Sequence, residues 1–182
     1  MPCLFASTLR YIALCLTPLV GPGCAGRPSL VPPIVFRNAD PLFTGSSVHL
    51  NIGDSAVILV NADNPRNQTG LLMKKDEVYD FICPGRQVWN DGGVPVMPNG
   101  DAATSYKTYM SIYSKMMRLP HSPALALIGE TTPDERDAFE IGSALKGRVV
   151  TMTGELICFA NDVPHFYFNN SGAITVVVMR KR

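Results

Sequence analysis

Between Asn161 and Gly172 the chain reads Asn-Asp-Val-Pro-His-Phe-Tyr-Phe-Asn-Asn-Ser-Gly, gathering one carboxylate (Asp162) and three side-chain amides (Asn161, Asn169, Asn170) within ten residues. These are hard oxygen donors. Calcium takes roughly six to eight oxygens from carboxylates, amide and backbone carbonyls and water, whereas magnesium demands near-octahedral order and tends to keep its waters. In such a shell Asp162 supplies charge, Asn169 and Asn170 supply neutral oxygens, and backbone carbonyls of the intervening loop complete the set. A cation held by a single carboxylate stays undercompensated and can accept vicinal hydroxyls of a sugar, while Asp162 and Asn169 hydrogen-bond the same hydroxyls. The same letters also read as a plain hairpin turn, Asn-Asn-Ser-Gly, preceded by an ordinary loop start, and a short motif alone does not separate the two.

Other chemistries find less support. There is no Walker loop, no HExxH and no Rossmann glycine fingerprint. The three histidines (His49, His121, His165) are scattered, so no four-ligand zinc set is visible. A hydrolase built on Asp162 and His165, with Glu155 or Glu140 as second acid, lacks any serine elbow or cysteine–histidine signature. We therefore expect no enzyme. Sixteen Lys+Arg against fifteen Asp+Glu leave the charge near zero, which argues against a general nucleic-acid binder.

The elements that must position these residues read as strands and loops. Charged residues are only 17% and apolar residues 46%, with fifteen Gly and fifteen Pro, a composition suited to a β-rich domain with many turns. Expected strands are Ile34–Asn38, Ser47–Ile52, Ala56–Asn61, Thr69–Met73, Glu77–Cys83, Ala124–Ile128, Arg148–Met152, Gly154–Ala160 and Ala173–Arg180. Turn chemistry such as Asn90-Asp91-Gly92-Gly93 and Pro98-Asn99-Gly100-Asp101 divides them, which points to an antiparallel sandwich. Within 102–119, Tyr106, Met110, Tyr113 and Met117 fall at helical spacing, predicting a helix or long loop inserted between strands, its stripe packed on the sheet. Glu130–Arg136 is polar and predicts an exposed loop.

The first 25 residues have the layout of a secretory signal peptide. No acidic residue precedes Asp40, Arg10 supplies a positive start, and Tyr11–Val20 is an apolar run too short to span a bilayer. Gly23 and Ala25 suit cleavage near Ala25; alternatively Cys24 becomes a lipidated N-terminus and the one membrane attachment. Either outcome implies a secreted, periplasmic or cell-surface protein. Three of the five cysteines fall in this leader, and the remaining pair, Cys83 and Cys158, reads equally as a disulfide or as two reduced core thiols.

Taken together, the twelve-residue loop resembles, at equal spacing, the calcium and galactose loop of the PA-I type galactophilic bacterial lectins. Asn61, Asn67-Gln68-Thr69-Gly70, Lys75-Asp76-Glu77-Val78, Met97-Pro98-Asn99-Gly100-Asp101 and Ala124–Gly129 extend the likeness across 55–182, with 26–54 left as an N-terminal extension and first strands. The resemblance implies an all-β, jelly-roll, galactose-binding-domain-like sandwich in which Ca2+ bridges protein and sugar. It implies calcium ligation by the side chains of Asp162, Asn169 and Asn170 and by backbone carbonyls of Phe166 and Trp89 (or Asn90), with Asp162, Val163 and Asn169 on the sugar. Galactose-type glycans are then the partner, and a homo-oligomer would raise avidity. The family's His and Gln beside the sugar have no counterpart, because the 102–122 insertion replaces their segment, and bulky His165 and Phe168 stand where small residues are usual. A structural or adhesion domain that has lost sugar binding is the competing expectation.

Overall fold

The computed structural model describes residues 34–38, as backbone, and 47–182. The signal peptide and Cys24 expectations lie outside these residues. Strands β1 (Ile34–Asn38), β2 (Ser55–Asn61), β3 (Asn67–Met73), β4 (Val78–Ile82), β5 (Trp89–Asp91) and β6 (Val94–Val96) precede helix α1 (Thr104–Ser111) and a 3-10 turn at Ser114–Met116. Then come β7 (Leu127–Glu130), β8 (Phe139–Glu140), β9 (Ala144–Val149), β10 (Gly154–Ala160), β11 (Asn170–Ser171) and β12 (Ala173–Arg180). One sheet has the order β1-β2-β12-β4-β9 and a second β3-β10-β7-β8, while β11-β5-β6 forms a small third sheet. The all-β sandwich is thus as expected; among the named strands of the described residues every pairing is antiparallel except that β1 runs parallel to β2.

Alternation builds the core. In β12, Ile174, Val176 and Val178 are buried and pair with Val60, Ile58 and Ala56 of β2, so one apolar face closes on the second sheet. From the other sheet β10 contributes Leu156 to Ala160, all buried, a continuous apolar run as expected of a strand covered on both faces. Trp89 and Phe81 fill the space between.

Several expectations need correction. Ser47–Ile52 is no strand; Val48 makes a single bridge to Leu71. The strand expected from Ala124 begins only at Leu127, because Leu125 has φ 55° and turns the chain. Arg148–Met152 is displaced: the strand is Ala144–Val149, with Gly147 at φ 67° bulging it against Asp80. Glu130–Arg136 is not simply exposed. Thr131 and Thr132 donate backbone N–H and hydroxyl groups to the buried Asp137 carboxylate, and Glu130 has no exposed side-chain surface, facing Arg66 at 3.0 Å and Arg118 at 3.6 Å. Cys83 and Cys158 are separate buried thiols rather than a disulfide.

The insertion is helical, as the spacing predicts. Tyr106, Met110 and Met117 are buried in the core. Its two ends meet at Gly100, whose φ of 75° and position 2.4 Å (from a would-be Cβ) to Pro123 leave no room for any other residue.

Candidate functional site

The loop from Asn161 to Gly172 connects β10 to β12 and folds back over the insertion. Asn161 is a brace: its Oδ1 accepts from the Leu119 N–H at 2.9 Å, and its Nδ2 donates to the carbonyls of Leu119, Ser122 and Pro123. With the insertion thus tied down, Asp162 follows at 2% exposure. Its Oδ1 accepts from the Val163 N–H at 2.7 Å and its Oδ2 from the Asn170 amide at 2.8 Å. Burial raises the Asp162 carboxyl above its ordinary value, and the charge of nearby Asp91 adds to the rise.

Asp91 is the residue that sequence reasoning missed. It ends β5, where Asn170 of β11 is its direct partner across the ladder. Its Oδ1 accepts from the Asn169 amide at 2.5 Å and its Oδ2 from the Tyr106 hydroxyl at 2.7 Å. Tyr106 comes from α1, so the insertion supplies part of the site as well as packing; burial and Asp91 push its phenol well above the usual range. The close approach of β11 to β5 depends on Gly172, at φ 88°, where a Cβ would stand 3.3 Å from the Trp89 Cα.

Asp91, Asp162, Val163, Phe166 and Asn169 line one cavity of about 150 Å³, with Tyr109, Met110, Tyr113 and Met116 of the insertion as its apolar wall. Asn170 stands behind Asp162, and its Oδ1 is buried with no hydrogen-bond partner. Trp89 does not line the cavity; its indole sits in the core and donates to the Leu125 carbonyl at 3.0 Å. His165, at φ 73°, and Phe168 face a separate groove beside Arg66 and Arg118 rather than this cavity. His165 therefore does not join Asp162 as a catalytic pair would.

Two carboxylates share this cavity, and among the described residues neither has a basic partner. No three His, Cys, Asp or Glu side chains converge among the described residues, so a cation here would rest on two carboxylates and amide oxygens. The donor chemistry suits that. Asn169 and Asn170 each aim an NH2 at a carboxylate, and a half-turn of either amide presents its oxygen instead. The Asn170 Oδ1 now stands without a partner, and a buried acceptor left unpaired is costly.

No protein-family model and no curated protein matches the chain. Among solved structures its fold is similar to a domain described as "EclA N-terminal domain; PllA-like lectin", with a TM-score of 0.51 and 21% identity over 68% of this chain and 94% of that one. The likeness is one of fold.

Proposed function

We propose that this protein binds carbohydrate through a calcium ion held at the cavity between β5 and the Asn161–Gly172 loop. The observation that carries the reading is a pair of carboxylates, Asp91 and Asp162, in one small cavity without a counter-charge, beside an orphaned amide oxygen on Asn170. Asp91, Asp162, Asn169 and Asn170 would hold the ion, with the backbone carbonyl of Phe166 as a further donor. When bound, calcium supplies positive charge to which two neighbouring hydroxyl oxygens can bind. The chain's own part would be to orient those hydroxyls through Asp162, Val163 and Asn169, which line the cavity. A likeness in fold to a lectin domain supports the reading, and the loop's family resemblance makes a galactoside the first ligand to try.

A second reading has one observation behind it. The insertion wall of Tyr109, Met110, Tyr113 and Met116 confines the cavity to about 150 Å³, which favours a calcium-stabilised adhesion domain without sugar binding. Calorimetric titration with methyl β-galactoside, with calcium and then with chelator, separates them. Heat that appears only with calcium supports the lectin; calcium binding without any saccharide response leaves the adhesion domain. The leader's layout adds export to the proposal, and a shallow single site of this kind gains by homo-oligomerisation.

A further inference from the structure

Packing does not account for the hydroxyl of Tyr106. The residue is buried, and a phenylalanine would fill the same space; the hydroxyl is spent on Asp91, donating to Oδ2 at 2.7 Å. Tyr106 is not among the residues lining the cavity of Asp91 and Asp162, and lines instead a neighbouring one of about 330 Å³. It therefore reaches Asp91 from outside the cavity and occupies none of the space an ion would take. The segment that follows α1 holds the other acid. The Arg118 N–H donates to the Asp162 carbonyl at 3.1 Å, and the Asn161 side chain bonds Leu119, Ser122 and Pro123. The insertion thus spans both carboxylates.

Asp91 needs such a partner. It is buried beside a second carboxylate, and among the described residues its side chain accepts from two donors only, the Asn169 amide on Oδ1 and the Tyr106 hydroxyl on Oδ2. The two donors are not equivalent. When Asn169 turns to give a cation its amide oxygen, its NH2 leaves Oδ1, and that carboxylate oxygen becomes free for the same ion. The Tyr106 hydroxyl sits on the other oxygen and has no second task. It is the one donor that can stay on Asp91 with the ion and without it. A fixed donor to a metal-binding carboxylate sets its orientation, and its loss typically weakens metal binding about 10- to 100-fold.

We propose that Tyr106 is a positioning residue of the cation site: its hydroxyl fixes the Asp91 carboxylate so that Oδ1 is left for the ion, which makes the insertion part of calcium binding. The proposal rests on the calcium reading above. The test is calorimetric titration of calcium, without saccharide, into the full chain and into Tyr106→Phe, with near-ultraviolet tyrosine absorption followed in parallel. Tyr106→Phe is expected to bind calcium about 10- to 100-fold more weakly. In wild type, calcium should shift a tyrosine absorption, because the acceptor of that hydroxyl gives charge to the ion. The shifted component should be missing from Tyr106→Phe even at saturating calcium, a signature that a packing role does not produce. Equal calcium affinity in the two proteins overturns the proposal. So does a weakened variant with the wild-type difference spectrum, since Tyr106 then acts through packing alone. If Tyr106→Phe does not fold, Asp91→Asn decides: a wild-type tyrosine shift that this substitution abolishes upholds the proposal, and one that survives it overturns it. Calcium heat in wild type without any tyrosine shift also overturns it and leaves the calcium reading standing. No calcium heat in wild type removes that reading, and the proposal falls with it.

Discussion

Replacing Asp162 by asparagine should have opposite effects with and without calcium, and that change of sign is what distinguishes an ion ligand from a structural carboxylate. Asp162 is 2% exposed, and its two oxygens take the Val163 N–H and the Asn170 amide. An asparagine keeps one oxygen for Val163. Its new NH2 faces Asn170, whose amide can turn so that the presently orphaned Oδ1 accepts from it. Both hydrogen bonds survive, and a desolvated charge beside Asp91 disappears. In chelator, Asp162→Asn should therefore melt at or above the wild-type temperature, the gain reaching about 1 kcal/mol, or roughly 2–4 °C for a chain of this size. Calcium at about one hundred times its Kd stabilises a native-only site by about 2.7 kcal/mol, roughly 5–11 °C on the same scale. The variant should lose most of that gain, so its melts with calcium and with chelator nearly overlay. Thermal melts followed by circular dichroism in the two buffers are sufficient. A wild-type midpoint that calcium does not move, or a variant that falls several degrees in chelator, refutes the reasoning.

Three further outcomes test other parts of the fold. Burial by itself raises the Glu77 carboxyl, but hydrogen bonds from the Lys74 N–H, the Tyr79 hydroxyl and His49 outweigh it and hold the group below its usual 4.5, with Arg180 at 2.8 Å. Because the folded value is depressed, its contribution is present above about 4.5 and is lost as pH falls through the lowered value; Glu77→Gln should cost about 1.5–3 kcal/mol at neutral pH in urea unfolding and flatten that acid limb. Arg118 lies 3.5 Å over the Phe159 ring and is shared by Glu130 and Glu135, so Arg118→Met, which leaves buried Glu130 with Arg66 alone, should lower stability by about 3–5 kcal/mol in the same assay. Burial pushes the Cys83 thiol up to about 11 and the Cys158 thiol higher still, so a thiol reagent at pH 8 should label neither in the native protein and both in denaturant.

What the linear chain determined is what depends on near neighbours. The alternation of Ile174, Val176 and Val178 and the apolar run Leu156–Ala160 announce β12 and β10 with the bounds they have, because strand period and burial are written residue by residue. The spacing of Tyr106 and Met110 likewise announces α1 and the face it buries. Asp162, Asn169 and Asn170 were legible together because nine consecutive residues of one loop hold them, and the structure does bring Asp162 and Asn170 into contact. The short strands β5, β6, β8 and β11 were not legible, since two or three residues carry no period to detect. Nor were Asp91 and Tyr106, the second acid of the site and its hydroxyl partner, nor buried Glu130 in what reads as a polar loop. Asp91 reaches Asn169 across 78 positions, and Glu130 reaches Arg66 across 64. Such pairs form only when β11 adds to β5 or β7 to β10, and strand partners are chosen by how whole sheets bury their faces. No local window contains that choice, so the chain alone indicates an oxygen-rich loop and the tertiary fold decides what faces it.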